Sequence, residues 1–330
     1  MKAANIQRIL IVKLSSLGDV VHAMPAVQDL RRTYPQAQID WVVEGAFAPL
    51  VARCEGVGQV IACDLRRWRK APLARPTRQA WRAFRAELQA QAYDAVIDLQ
   101  GLTKSALVAR VARLAPGGRR YALANQTEGS GYEAPTRWVA DVAIHIEPRI
   151  HAVDRSRQLC ARALGHSLPA MQVYGLHAEA GGGTGRAREV ALVHGTSRDD
   201  KLWPQAHWIA LGQRLIAQGL CIGLPHGGTA ERERAARLAA ALGNAATVWP
   251  ALDLGQLTDR MAGGAGVIGV DSGLSHIATA LDLPHVQIYN FDTAWRTGPV
   301  GRDRQCSVYQ QPTPGVDAVW QAWLRVRAAA

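Results

Sequence analysis

Asp19 lies in the stretch "VKLSSLGDVVHAMPAV", where a short apolar run gives way to a helical pattern. An aspartate at such a seam can cap the helix. It can also do chemistry: an unperturbed aspartate has a pKa of roughly 3.9 and is ionised at neutral pH. A substrate hydroxyl held within hydrogen-bond reach could give its proton to that carboxylate. The preceding turn, Ser15-Ser16-Leu17-Gly18, is compact and lets a ligand approach the backbone. It is not a G-x-G-x-x-G loop, so a dinucleotide site is not expected there.

A second seam is "GVIGVDSGLSHIATALDLP". Leu274, Ile277, Ala278 and Leu281 follow an i, i+3, i+4, i+7 spacing and should face a core. Asp271, Ser272, Gly273 and His276 fall at the turn and in the first helical turn. Free N–H groups and the helix dipole make such an end an anion site, one that would suit a pyrophosphate. The plainer alternatives are that Asp271 or Ser272 is a cap and that His276 is a surface histidine. A third turn, "HGTSRDDKLWP", offers the hydroxyls of Thr196 and Ser197 and the compact charge of Lys201 to a phosphate.

The segment "LRRWRKAPLARPTRQAWRAFRAEL" clusters Arg66, Arg67, Arg69 and Lys70, then continues with Arg75, Arg78, Arg82 and Arg85. Such a run can be no more than a solvated face. With Trp68, Trp81 and Phe84 interleaved, it also suits a carboxylate- or phosphate-bearing substrate or an anionic membrane surface.

The elements that must position these residues alternate. "RILIVK", "IDWVVE", "GQVIAC" and "DAVIDL" read as buried parallel strands in the first half. "VALVHG", "LCIGLP", "GVIGVD" and "HVQIYN" repeat the reading in the second. Helical patterns lie between: Val20, Val21, Met24, Val27 and Leu30 share a face after Asp19, and Pro25 should kink or restart that helix. "TKSALVARVARL", "HAVDRSRQLCARAL", "AHWIALGQRLIAQG", "ERERAARLAAAL" and the last stretch, "GVDAVWQAWLRVRAAA", read as further helices. Between the halves, Ala178 to Glu189 is small and glycine-rich, the composition of a hinge. Two βα modules would each bind ligands beyond the carboxyl ends of their strands, with a cleft between them.

Composition narrows the partners. The chain has 330 residues and a formal net charge of +11, which favours anionic ligands. No recognised nucleic-acid motif accompanies the charge, so nucleic acid is not an expected partner. Five dispersed cysteines include no C-x-x-C pair, which argues against a zinc or redox site and fits a reducing compartment. No stretch approaches the roughly 20 apolar residues of a membrane span, and Ile9 to Val12 is too short for a signal peptide. A soluble protein is expected, one able to touch a membrane surface. Nothing in the sequence asks for more than a monomer.

Taken together, "ILIVKLSSLGDVVHAMPAV", "DWVVEGAFAPLV", "RRWRKA", "YDAVIDLQGLTKSALVAR", "HAVDRSR", "TSRDDKLWP" and "VDSGLSHIATALDLP" resemble the ADP-heptose family of GT-B glycosyltransferases, the lipopolysaccharide heptosyltransferases. The likeness runs in order from near the N-terminus to about Tyr289. "RRWRKA" favours the type I over the type II branch. The resemblance implies an α/β GT-B fold: an acceptor domain over 1–178, a donor domain over 187–312, and a final helix over 313–330 packing back on the first domain.

It also implies an inverting, metal-independent transfer of L-glycero-D-manno-heptose from ADP-heptose to a Kdo hydroxyl of Kdo-lipid A, at the cytoplasmic face of the inner membrane. No cofactor is implied, ADP-heptose being a substrate. Asp19 matches the general base and Lys201 the lysine that steadies the donor phosphates. Thr196, Ser197, Glu231, Leu252, Asp271, Ser272, Gly273, Leu274 and His276 match donor-binding positions, Glu231 toward the nucleotide ribose. Ser16, Gly18, Arg66, Arg67, Arg69, Lys70 and His151 match the acceptor side. Four places depart from the family pattern: Ser272 replaces a common threonine, Leu252 stands near where a methionine can flank the adenine, "NQTEGSGYEAPTRW" lacks an Arg-Glu-Pro pattern, and "YNFDTAW" replaces a Tyr-Gly-Pro-Thr turn.

Overall fold

The computed structural model describes residues 6–179, 187–301 and 303–329. The chain separates after Gly175 into two compact units. Residues 180–186 of the expected glycine hinge lie outside the described residues.

The first unit holds β1 (Arg8–Val12), β2 (Gln38–Glu44), β3 (Val57–Cys63), β4 (Ala92–Asp98), β5 (Arg113–Leu123) and β6 (Val142–Ile144). They form one sheet in the order β3-β2-β1-β4-β5-β6, every pair parallel. The second unit holds β7 (Glu189–Val193), β8 (Cys221–Leu224), β9 (Ala246–Val248), β10 (Gly266–Val270), β11 (His285–Tyr289) and β12 (Gln305–Tyr309). Their order is β12-β11-β10-β7-β8-β9, again all parallel. Each sheet therefore reverses its winding once, between β1 and β4 and between β7 and β10. In open parallel sheets the loops at that reversal diverge and leave a crevice at the carboxyl ends, where ligands bind.

The central strands are apolar because helices cover both faces. Ile9 to Val12 of β1 are wholly buried, as is all of β10. Four strands escape sequence reading: β5, β6, β9 and β12. β5 contains Pro116, Gly117 and Gly118, and its pairing with β4 slips between Tyr93 and Ala95, so the irregular residues are absorbed as a bulge. The helix expected to reach Leu114 stops at Val111 because β5 begins at Arg113.

Helix Leu17–Thr33 neither ends nor restarts at Pro25. Proline removes one helical hydrogen bond, and packing of buried Val20, Val21, Met24, Val27 and Leu30 carries the helix through it. Helix Ala152–Leu164 lies against it, locked by a buried fork: Arg157 Nε and Nη2 donate to Asp29 Oδ2 and Oδ1 at 2.7 and 3.3 Å.

The last helix, Val316–Ala328, is part of the second unit. Its stripe of Val319, Ala322, Trp323 and Val326 is built into the core of the second unit, beside β11, β12 and helix Gln205–Ala217. Burying that stripe against the second sheet satisfies its i, i+3, i+4, i+7 spacing.

Candidate active site

The first reversal places the turn after β1 beside the end of β4. Gln100, just past β4, accepts at Oε1 from the backbone N–H groups of Leu14 and Ser15, both at 3.1 Å. Asp98 in turn accepts from Gln100 N, Gly101 N and Ser105 Oγ, which shapes the second loop. Burial pushes Asp98 up to about 6 despite those donors.

On this frame Asp19 is the third residue of its helix, not the N-cap. Ser16 holds the N-cap and its backbone N–H donates to Asp19 Oδ2 at 3.3 Å, one half of a capping box. Ser16 Oγ reaches the same oxygen at 3.0 Å. The other carboxylate oxygen does something a cap does not require: Oδ1 lies 3.2 Å from Arg155 Nη2 and 3.6 Å from Lys13 Nζ. Burial alone would raise the Asp19 carboxyl, but Lys13, Arg155 and His22 outweigh it and hold it well below the usual carboxylate range. The side chain remains 34% exposed, so a ligand hydroxyl can still reach it.

Sequence reading missed Lys13 and Arg155. Lys13 is buried at the end of β1, donates to Leu99 O at 3.1 Å, and is pushed down to about 8 mainly by burial. Its signal was a lone charge closing an apolar strand. Arg155 is buried one turn past His151 and also donates to Thr127 Oγ1 at 3.2 Å. His151 itself is the N-cap of helix Ala152–Leu164, accepting from Val153 N at Nδ1, and its ring lies 6.0 Å from that of His22. Gly18 sits inside the first turn of the Asp19 helix.

The second reversal gathers the turns after β7 and β10. Asp271 is its hub. Lys201 Nζ donates to Asp271 Oδ2 at 2.6 Å, and Thr196 Oγ1 donates to Asp271 O at 3.1 Å. His276 Nε2 lies 3.6 Å from Asp271 Oδ1. Burial would raise Asp271, but His276 and Lys201 prevail and hold it ionised below the usual range. His276 is thus a buried partner of Asp271 and not a surface histidine. Ser272 is the N-cap of helix Gly273–Ala280, yet its buried Oγ has no partner. Ile277 and Ala278 are buried as expected, while Leu274 and Leu281 are only half-buried. Close packing requires Gly269 here: a Cβ would meet Ser275 Oγ at 2.4 Å and Val193 Cβ at 2.8 Å.

Asn290 steadies the Lys201 loop, donating from Nδ2 to Asp200 O and Leu202 O, both at 3.0 Å. Glu231, in the first turn of helix Thr229–Leu242, accepts from Gly227 N at 2.6 Å and overlies Gly195, whose Cβ would come within 2.4 Å of Glu231 Oε1. Glu231 therefore stands at the same edge as Thr196. Ser197 is exposed and Leu252 half-buried.

The basic segment is anchored by its aromatics. Trp68 is buried and packs on Trp81 and Phe84 with ring centroids 5.8 and 5.5 Å away. Arg66, Arg69 and Lys70 are left exposed, and Arg67 pairs with Asp64 at 2.9 Å. Lys104 links this segment to the Asp19 turn by donating to Ser15 Oγ at 2.9 Å.

Two doubly wound parallel units, each with ionised side chains at its own switch point, form the α/β fold of the GT-B glycosyltransferases, as in the solved heptosyltransferases. The first edge offers a proton acceptor, the second an anion-holding turn. The chain belongs to glycosyltransferase family 9, the heptosyltransferases, whose profile matches residues 81–319. It is 41% identical over 306 residues to lipopolysaccharide heptosyltransferase 1 of Pseudomonas aeruginosa, covering 90% of this chain and 82% of that protein. Against lipopolysaccharide heptosyltransferase 2 of Salmonella typhimurium the identity falls to 26%, with 86 and 82% covered. The solved E. coli heptosyltransferase WaaC with ADP superposes with a TM-score of 0.84 at 35% identity, covering 96% of this chain and 98% of that one. The same enzyme solved with ADP-2-deoxy-2-fluoro heptose gives 0.80 at 36% identity, with the same coverage.

Proposed function

We propose that the chain transfers L-glycero-D-manno-heptose from ADP-heptose to a hydroxyl of Kdo-lipid A, inverting the anomeric centre. The observation that carries this reading is Asp19: an ionised, partly exposed carboxylate at the first switch point, clamped from behind by Lys13 and Arg155. Such a group is oriented before substrate arrives, and orientation is what lets a weak carboxylate base act on a hydroxyl.

In this reading Asp19 accepts the proton of the attacking Kdo hydroxyl. Lys201 and the N-terminus of helix Gly273–Ala280 meet the charge that grows on the departing ADP, a contribution of the kind that often exceeds proton transfer itself. Asp271 acts through Lys201, fixing where its ammonium points. Glu231, Thr196, Ser197 and Leu252 are assigned to the nucleotide. Arg66, Arg67, Arg69 and Lys70 are assigned to the anionic groups of the acceptor, together with Ser16, Gly18 and His151. A lipid acceptor places the work at a membrane surface, and we assign it to the cytoplasmic face. Among the described residues no helix is long and apolar enough to cross a membrane.

The test is release of ADP from ADP-heptose with purified Kdo-lipid A as acceptor, run beside an already heptosylated acceptor. Turnover on the first acceptor supports the reading. Turnover only on the second would make the enzyme a type II transferase, and none on either would refute the assignment.

A further inference from the structure

The basic segment encloses a pocket of about 500 Å³ whose walls are apolar: Trp68, Trp81 and Leu107 line it. Its rim is cationic, formed by Arg69, Arg78, Arg82 and Lys104. No carboxylate lines it, and among the described residues no ion pair engages Arg69, Arg78 or Arg82. Arginines left unpaired beside an apolar hollow match a ligand with a hydrocarbon part and an anionic head. A sugar phosphate would use the rim and leave the walls wet.

The surroundings select among such ligands. Leu107 is 57% exposed at the lip, and Leu73, next to the lining residue Pro72, is 84% exposed. A single soluble anion would not cover these side chains, whereas a bilayer interface covers apolar side chains and attracts arginines together. Helix Arg75–Gln89 supports that placement: it buries Phe84 and Leu88 inward and carries Arg78 and Arg82 on the pocket side.

We infer that this pocket takes one acyl chain of an anionic bilayer phospholipid, with the headgroup phosphate on Arg78 and Arg82, and so seats the protein on the membrane. The inference rests on the reading of a lipid-directed heptosyltransferase, and it places a bilayer lipid beside the acceptor side of that enzyme, Lys104 joining the pocket to Ser15 of the Asp19 turn.

The experiment is co-sedimentation with vesicles free of acceptor. Wild-type protein should bind phosphatidylglycerol vesicles and leave phosphatidylcholine vesicles largely unbound. Leu107→Gln and Thr77→Trp, which make the lip polar or fill the hollow, should each weaken phosphatidylglycerol binding about tenfold, the effect of losing roughly two buried methylenes. Both variants should keep wild-type kcat/KM on a soluble, fully deacylated acceptor. Phosphatidylglycerol brominated on its acyl chains should quench tryptophan emission, and Trp81→Phe should lose part of that quenching. Variants that bind phosphatidylglycerol as wild type does would show that charge alone acts and would overturn the pocket. So would failure of wild-type protein to bind those vesicles, while leaving heptose transfer untouched. Absence of transfer to any acceptor would instead remove the functional reading beneath it.

Discussion

Asp19 Oδ1 and Arg155 Nη2 lie 3.2 Å apart although 136 residues separate them in the chain. The contact exists because helices Leu17–Thr33 and Ala152–Leu164 pack side by side and the Asp29–Arg157 fork fixes their register. It stabilises the carboxylate form of Asp19, which keeps the base ionised while lowering its proton affinity. From this follows a first expectation. Asp19→Asn should cut transfer by about 10²–10⁴-fold, the usual worth of a general base, with ADP-heptose still bound in a calorimeter. Arg155→Met should let the Asp19 pKa rise toward the ordinary range, so an acidic limb appears in the pH dependence of kcat. Near wild-type transfer by Asp19→Asn would remove Asp19 from the chemistry.

Lys13 supplies the second test. Its ammonium, pushed down to about 8, deprotonates at mildly alkaline pH and then no longer opposes the Asp19 charge. The value of kcat/KM should fall by about fivefold as pH rises through 8, the effect of losing one nearby charge pair. Lys13→Met should start from the lower rate and show no such limb. A limb that survives in Lys13→Met belongs to another group.

At the second switch point, Lys201→Ala should weaken ADP binding by about tenfold or more, because a charge-assisted contact to phosphate is lost. Asp271→Asn keeps the ammonium but frees its position, so affinity should fall less than kcat. The two effects separate by titrating ADP and by measuring turnover at saturating donor. Unchanged ADP affinity in Lys201→Ala would break the assignment.

The Asp29–Arg157 pair is buried on both sides, so removing Asp29 leaves the buried guanidinium with only its more exposed partner Asp154, 3.5 Å away. Asp29→Ala should cost about 3–5 kcal/mol in urea unfolding. The double change Asp29→Leu with Arg157→Met should recover part of that loss, since no lone charge remains buried. A double variant no better than the single one would mean that packing, not charge, dominates there.

His194 and His285 predict an acid sensitivity. Burial lowers both to about 4, with the charges of Arg234 and His226 adding at His194 and that of His276 at His285. In the unfolded chain each titrates near 6.5, so between those values the unfolded state binds more protons. Stability is full above pH 6.5 and drains as pH falls toward 4, by roughly 3 kcal/mol per imidazole. Melting temperatures across that window, with imidazole resonances followed in parallel, check it: folded-state titration near 6.5 would refute the assignment.

The strands most legible in the sequence were those buried on both faces, such as β1 and β10, where apolar runs leave no other reading. Of the strands that escaped, β6 and β9 have three residues each, β5 is broken by Pro116, Gly117 and Gly118, and β12 is mostly half-buried with Gln305 and Ser307 interrupting its apolar run. At Pro25 long-range packing carries the helix on, so of the two local outcomes, a kink or a restart, the restart does not occur.

The sequence by itself determined the repeated strand–turn–helix units, and with them the placing of Asp19, Thr196, Lys201 and Asp271 at carboxyl ends of strands, because hydrophobic period and turn chemistry are local. Tertiary structure decided which charges face which. Lys13 and Arg155 meet Asp19, and Lys201 meets Asp271, only because each parallel sheet reverses its winding and brings remote loops within a few ångströms. Electrostatic coupling depends on distance in space, and no spacing along the chain encodes it.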